Sequence, residues 1–298
     1  MIRPRDGNHD SEAETRFVAL DIGGTKIMAA SADASGAMVR IERASTPLKL
    51  NDGLRVIDEL IAKVSGGKPI GGIGAAAGGP LDWRTGVVSP LHQPEWRDVR
   101  LKERMEERWG CRFEVDVDTN VAALGEYHQM ARKPARLLYL TISTGMGGGF
   151  VVDGRIYRGK DGGHPEVGHQ SVHYRCSAAA VVSCSCGATG CLEALVSGNG
   201  IRRHYLKAPE ELSDGEWEEI AWNLGQGLRN LAAIYAPDTI ILGGGVVFGA
   251  GDRFLQRAVE VMRANLKIVQ APDVSRSLLG ENNVLQGALL LARTGQAP

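Results

Sequence analysis

Apolar residues fall into short runs broken by glycine turns and into stripes at helical spacing, and the two patterns alternate along the chain. Phe17–Asp21 is an apolar strand that passes through Ile22, Gly23, Gly24, Thr25 and Lys26 into a second apolar run, Ile27–Ala30, which predicts strand, tight turn, strand. Leu54, Ile57, Leu60, Ile61 and Val64 then recur at helical spacing, with Asn51 or Asp52 placed to cap the helix and Gly66-Gly67 to end it. Ile70–Ala77 reads as a strand leading into Gly78-Gly79-Pro80-Leu81-Asp82. A charged helix around Arg100–Trp109 precedes a strand, Arg112–Val117, and Asp118–Glu126 reads as a helix capped by its leading acid. The second half repeats the opening theme: strand Arg136–Ser143, glycine turn Thr144–Gly149, strand Phe150–Val152, and a hairpin at Asp153-Gly154. Beyond it come a helix Glu216–Tyr235, a strand Thr239–Leu242 running into Gly243-Gly244-Gly245, a helix from about Arg253 to Leu266, and a last helix Asn283–Arg293. Strands alternating with helices predict α/β architecture, and two matched strand–glycine–strand units predict two related subdomains.

Composition narrows the picture. A chain of 298 residues, 43% of them apolar, suffices for two compact units with buried cores. Residues 1–16 hold few apolar side chains and read as a flexible tail. The net charge of −1 provides no positive field to gather nucleic acid or anionic lipid, and no run approaches the length of a membrane span. The N-terminus also lacks the apolar core of a secretory signal, so the expectation is a soluble, cytoplasmic protein without nucleic-acid or membrane partners. Five cysteines is an odd number, and Cys184, Cys186 and Cys191 crowd together, which suits a metal clip better than a disulfide framework. With His169 they make one imidazole and three thiols, a structural-zinc set in which Gly187 and Gly190 supply the bends. Cys176 is a spare that could replace one ligand.

Glycine turns after apolar strands commonly receive phosphate, because missing Cβ atoms let backbone N–H groups converge on an anion. A dinucleotide fold or a P-loop needs a helix immediately after the glycines, whereas Ile27–Ala30 and Phe150–Val152 read as strands. What remains is a pair of β-hairpin turns, one with Asp21 and Thr25, the other with Thr144 and Gly145. A lone turn of this kind reads as a hairpin using glycine for positive φ; two matched turns plus Gly243-Gly244-Gly245 weaken that reading.

Five motifs in order, Leu20-Asp-Ile-Gly-Gly-Thr-Lys26, Ser143-Thr-Gly-Met-Gly-Gly-Gly149, Glu166-Val-Gly-His169, Cys184-Ser-Cys-Gly-Ala-Thr-Gly-Cys-Leu-Glu193 and Ile241-Leu-Gly-Gly-Gly245, resemble the ROK family of sugar kinases and sugar-responsive repressors. The resemblance spans about Phe17 to Arg293. It implies an actin/hexokinase-like (ribonuclease H-like) two-domain fold with ATP in the interdomain cleft, and a homodimer. Residues 17–118 with 281–298 would then be the smaller domain and 119–280 the larger one, carrying the zinc clip.

The same resemblance assigns roles. Asp118 matches the family's general base, which takes the proton of the attacking hydroxyl while Mg²⁺ bridges phosphate oxygens. Asp21, Gly23, Gly24, Thr25, Lys26, Thr144, Gly145, Gly243, Gly244 and Gly245 match ATP and phosphate positions. Glu166, His169 and Glu193 match residues that hydrogen-bond sugar hydroxyls, with Gly79 beside the substrate and Asn120 a support of the helix start that also approaches it. Zinc held by His169, Cys184, Cys186 and Cys191 would fix one His169 nitrogen and leave the other to face the sugar.

Three departures bear on the substrate. Val117 stands where the family has a sugar-contacting Asn; His164-Pro165 precedes Glu166 in place of Ala-Gly and resembles the fructokinase branch; Gly78-Gly79-Pro80 replaces Pro-Gly-Pro. The expectation is an ATP-dependent, glucokinase-like hexose kinase. Fructose or an N-acetylhexosamine as acceptor, polyphosphate as donor, and a sugar-binding protein without catalysis stay open. A repressor needs a DNA-binding domain of about 50 residues, and only twenty residues precede Asp21, so an enzyme is expected.

Overall fold

The structure is a computed structural model and describes residues 15–91 and 93–295. Of the expected tail, residues 1–14 lie outside the described residues, and Arg16 is already the first residue of a strand, paired with Ile70. The described chain forms two compact units, residues 15–125 with 282–295 and residues 126–281. The division falls after Gly125, inside a helix, rather than after Asp118.

In the first unit, β1 (Arg16–Ile22) and β2 (Lys26–Ala32) form the predicted antiparallel hairpin. β3 (Met38–Ser45) lines the edge beside β2, and its charged Arg40, Glu42 and Arg43 hide it from a reading of apolar runs. α1 (Leu50–Ser65) buries the apolar stripe at Leu54, Ile57, Leu60, Ile61 and Val64 and ends at Gly66 in the left-handed region. Asn51 and Asp52 do not cap it: both lie inside the first turn, the N-cap is Lys49, and the Glu95 carboxylate accepts the Leu50 N–H at 3.3 Å. After β4 (Ile70–Ala77) come three two-residue strands, β5 (Leu81–Asp82), β6 (Val87–Val88) and β7 (Val99–Arg100), which pair in a small sheet of their own. α2 (Leu101–Trp109), β8 (Phe113–Val117) and α3 (Asp118–Gln129) follow.

The main sheet has the order β3-β2-β1-β4-β8. One face, with Val18, Leu20, Ile22, Ile27, Ile73 and Val115, packs on α1. The other is built of small residues, and the last helix of the chain, spanning Asn283–Thr294, lies directly on it. A Cβ on Gly74 would overlap the Ala288 carbonyl oxygen, so the helix backbone sits against the strand backbone.

The second unit opens with β9 (Arg136–Ile142) and β10 (Met146–Val152), antiparallel. The turn is shorter than Thr144–Gly149, because Gly147, Gly148 and Gly149 belong to β10. Gly148 serves close packing: a Cβ there would lie 2.6 Å from Val167 Cγ2. Asp153 and Gly154, at φ 50° and 80°, turn the chain into β11 (Arg155–Ile156). α4 (Leu192–Val196), α5 (Gly198–Tyr205) and α6 (Asp214–Tyr235) follow, the last opened by a capping box in which Glu216 accepts the Ser213 N–H at 2.7 Å. β12 (Thr239–Gly243), α7 (Gly245–Gly249), α8 (Gly251–Asn265) and β13 (Asp273–Arg276) complete the unit, and the Asn283–Thr294 helix is α9. Ile220, Leu224 and Leu228 of α6 share the core with Phe254, Ala258 and Met262 of α8. The sheet order β11-β10-β9-β12-β13 repeats that of the first unit strand for strand: three antiparallel strands, then two parallel ones.

Candidate active site and metal centre

In the first unit, β1 carries Asp21 near its C-terminal end, in register with Ala76 of β4, which is in register with Asp116 of β8. Parallel register partners share a face of the sheet, so Asp21 and Asp116 lie on the small-residue face, two strands apart. Asp118 is the first residue of α3, half-buried, and its Oδ1 accepts the Thr119 N–H at 2.7 Å. Burial, reinforced by the charge of Asp118 and opposed by Lys26, pushes the Asp21 carboxyl up to about 7. Two carboxylates in this relation suit a cation, which would relieve the repulsion between them.

The turn between β1 and β2 leaves Gly24, Thr25 and Lys26 exposed. The Gly23 N–H donates to the Lys26 carbonyl at 3.0 Å, and Thr46 clamps the turn through its Oγ1 on the Gly23 carbonyl at 2.7 Å. Neither Gly23 nor Gly145 has a positive φ, which corrects the hairpin reading of these glycines. Gly23 is required because a Cβ would come within 2.9 Å of the Lys26 carbonyl oxygen. Gly79 precedes a cis peptide bond to Pro80, and its carbonyl accepts the Leu91 N–H at 3.1 Å. Asn120 is 1% exposed; its Nδ2 donates to Asp116 Oδ1 at 3.0 Å, while its Oδ1 has no partner among the described residues. Val117 is buried beside them.

In the second unit, α4 presents Glu193 to the turn between β9 and β10. Its Oε2 accepts the Met146 N–H at 3.0 Å and sits 3.1 Å from where a Gly145 Cβ would stand. The same turn is held from behind, since Gly198 and Asn199 at the start of α5 donate their N–H groups to the carbonyls of Ser143 and Thr144 at 2.8 and 3.0 Å. Glu166 is exposed, with His164 Nε2 3.5 Å from its Oε1, and its carbonyl accepts the His169 N–H at 3.0 Å.

The expected metal ligands converge. Ligand atoms of His169, Cys184, Cys186 and Cys191 all lie within 4.8 Å of one another. His169 Nδ1 is 3.7 Å from Cys184 Sγ, and Cys186 Sγ is 3.7 Å from Cys191 Sγ. Zinc–sulfur bonds of about 2.3 Å at tetrahedral angles put sulfurs about 3.8 Å apart, so the donor set fits a tetrahedral ion. A disulfide, at about 2.05 Å, does not match these separations. Gly187 and Gly190, at φ 93° and 70°, make the bends, and Cys184 N donates to the Ala188 carbonyl at 2.8 Å. Cys176 is not in this group; it packs on the core of the unit beside Tyr205. The segment carrying it is pinned to α6, where Asn223 exchanges two hydrogen bonds with the Arg175 backbone at 2.8 and 2.7 Å.

A cavity of about 630 Å³ opens beside Thr144, lined by Arg202, Glu210, Trp217, Gly245 and Val246. Gly244, at φ 94°, makes the strand-to-helix turn, and a Cβ there would overlap the Ile142 carbonyl oxygen. Gly245 has open space where its Cβ would be. Arg202, Glu210 and Trp217 escape a reading of the sequence because they come from separate segments without a common motif. Asp116 does carry a signal: an acid in the otherwise apolar end of a strand, Val115-Asp116-Val117.

The ROK family model matches residues 17–295. A glucokinase from Halalkalibacterium halodurans is 31% identical over 280 residues, covering 80% of this chain and 83% of its own. The ROK hexokinase from Thermus thermophilus superposes with a TM-score of 0.81 at 32% identity, over 93% of this chain and 97% of that one. A ROK family glucokinase from Streptomyces griseus, solved with glucose and AMPPNP, gives 0.75 at 27% identity over 94% and 100%. The chain therefore belongs to the ROK family and has the actin/hexokinase-like α/β fold of these sugar kinases.

Proposed function

We propose that the protein is a sugar kinase that transfers the γ-phosphoryl group of ATP to the primary hydroxyl of a hexose, with glucose as the favoured acceptor. The observation that carries the reading is the placement of Asp21 and Asp118: Asp21 lies near the end of β1, in register through Ala76 with Asp116, two residues before Asp118 at the start of α3, and the charge of Asp118 adds to burial in raising the Asp21 carboxyl. Asp118 is the base. It takes the hydroxyl proton as the sugar oxygen bonds to the γ-phosphorus and the bond from that phosphorus to the β,γ-bridging oxygen breaks, releasing ADP. Asp21 would hold Mg²⁺, which when bound neutralises phosphate oxygens.

Gly23, Gly24, Thr25, Lys26, Thr144, Gly145, Gly243, Gly244 and Gly245 are assigned to the donor phosphates, and the cavity at Arg202 and Trp217 to the nucleoside. Gly79, Asn120, Glu166, His169 and Glu193 are assigned to the sugar. His169, Cys184, Cys186 and Cys191 would hold one structural zinc, which ties the His169 and Glu193 segments together. We place the enzyme in the cytoplasm, where these thiols stay reduced, as a homodimer; light scattering that returns the single-chain mass of 31.9 kDa rejects the dimer.

The test is ADP release with MgATP, and separately sugar phosphate formation with polyphosphate, against glucose, fructose, mannose, allose, N-acetylglucosamine and N-acetylmannosamine, with Asp118→Asn alongside. Sugar-dependent ADP release that the variant loses supports the reading. Sugar binding by thermal shift without turnover on either donor overturns it in favour of a binding protein. Fructose is the second acceptor to consider, because His164 contacts Glu166 in a His-Pro-Glu segment of fructokinase type.

A further inference from the structure

Asp116 has no part in the chemistry just described, yet it is a carboxylate buried to 3% exposure at the end of a core strand. Burying such a group is costly unless its oxygens are well occupied. Its Oδ1 accepts two hydrogen bonds, from the Val117 N–H at 2.7 Å and from Asn120 Nδ2 at 3.0 Å. Those donors bracket Asp118: Val117 immediately precedes it and Asn120 follows two residues later. A single oxygen thus grips the strand-to-helix turn on both sides of the proposed base.

The surroundings leave this grip little freedom. Asn120 is itself 1% exposed, so its amide has no route to water. α3 cannot shift to accommodate a loosened turn, because it is packed backbone to backbone on α9. A Cβ on Gly125 would overlap the Asn283 carbonyl oxygen, and one on Gly287 the Val121 carbonyl oxygen. Val117, with an apolar side chain, offers only its backbone N–H.

We propose that Asp116 is a positioning residue for Asp118: by holding Val117 and Asn120 on one oxygen, it sets the direction in which the Asp118 carboxylate leaves the start of α3. The proposal rests on Asp118 being the base and concerns the same site. Misdirecting a general base by a fraction of an ångström lowers turnover without weakening ground-state binding.

The experiment measures kcat, KM for sugar and ATP, and melting temperature for Asp116→Ala, Asp116→Asn, Asn120→Ala and the Asp116→Ala/Asn120→Ala double variant. Asp116→Ala is expected to lower kcat about 10- to 100-fold with both KM values within about threefold of wild type. Asp116→Asn, which keeps an acceptor oxygen in place, should recover most of that loss. The double variant should be no slower than the slower single variant, since both changes break one grip. Unchanged kcat in Asp116→Ala, or a loss that Asn does not rescue, overturns the proposal. If Asp116→Ala fails to fold, the decision passes to Asn120→Ala, where kcat equal to wild type, or a loss confined to the KM for sugar as expected of a sugar contact alone, overturns it. Wild-type protein that phosphorylates no sugar with either ATP or polyphosphate is a separate outcome that sinks the kinase reading and this proposal together.

Discussion

Glu193 and Met146 are joined by a hydrogen bond of 3.0 Å from the Met146 backbone N–H to the Glu193 carboxylate, which ties α4 to the turn that opens β10. The carboxylate is held 3.1 Å from the Cβ position of Gly145, so the glycine is the space it occupies. Gly145→Ala should displace it by a few tenths of an ångström and lower kcat/KM for sugar by about tenfold, while Glu193→Gln should cost about 10- to 100-fold. Steady-state kinetics at saturating ATP check both. An alanine variant with wild-type sugar kinetics would detach Glu193 from the site.

Asp118→Asn separates chemistry from folding. The amide oxygen can still accept the Thr119 N–H, so the start of α3 is expected to survive with a melting temperature close to wild type. Turnover should drop by at least about 100-fold with sugar affinity retained. A large loss of melting temperature instead would make the acid a helix cap.

Asp21 makes ligand-free stability depend on pH. Its folded value of about 7 lies above the ordinary 3.8, so the native state binds the proton more tightly than the unfolded chain. The stabilisation from that proton is complete below the ordinary value and is lost as pH rises towards 7 and past it. Asp21→Asn should therefore melt higher than wild type at pH 8 and show a flatter profile between pH 4 and 8. Thermal melts without nucleotide or metal measure this, and equal melting temperatures at pH 8 would refute the burial-and-repulsion account.

The clip should take up zinc with release of protons. Burial and the neighbouring Cys186 and Cys184 push the Cys191 thiol up to about 12, while the Ala188 backbone, first among several hydrogen bonds, holds Cys186 below its ordinary value. At neutral pH the metal-free cluster keeps the Cys191 proton, and an ion must displace it. Zinc titrated into chelator-treated protein in weak buffer should acidify the solution, and Cys191→Ser should reduce both the uptake and the acidification. Zinc binding with no proton release would argue against thiolate ligation.

Gly74→Ala should destabilise the first unit by about 1–3 kcal/mol or more, because the new methyl group collides with the backbone of α9 rather than with a flexible side chain. Chemical denaturation of the wild type and variant decides it.

Much of the fold is legible in the amino-acid pattern. Apolar runs such as Ile70–Ala77 form strands with the predicted bounds, because a core strand buried on both faces must be apolar throughout. The helical stripe of α1 and the Asp153-Gly154 turn are equally plain. β3 is not, since an edge strand with charged residues on alternate positions looks like a loop. Short α5, Gly-Asn-Gly-Ile-Arg-Arg-His-Tyr, buries only Ile201 and Tyr205 beside two glycines, too little of a stripe to find, although its first N–H groups hold the turn between β9 and β10. The cluster of His169, Cys184, Cys186 and Cys191 is legible because its cysteines lie close in sequence, whereas Arg202, Glu210 and Trp217 meet only through the fold. The glycines mislead: in sequence they suggest left-handed backbone, while Gly23, Gly145 and Gly148 serve close approach, a property of the neighbour rather than of the turn.

α9 covers the small-residue face of a sheet whose strands all lie between residues 16 and 117, with the whole of the second unit encoded in between. On the ribosome that sheet is synthesised first and completed last. Until α9 emerges, Ala19, Gly72, Gly74 and Ala76 face the aqueous surroundings or a chaperone, while the second unit has every element it needs to fold. The unit that holds Asp21 and Asp118 thus receives its last element after the second unit is fully synthesised, and a chain truncated before α9 would keep the cluster of His169, Cys184, Cys186 and Cys191 but leave its two acids on an unfinished scaffold.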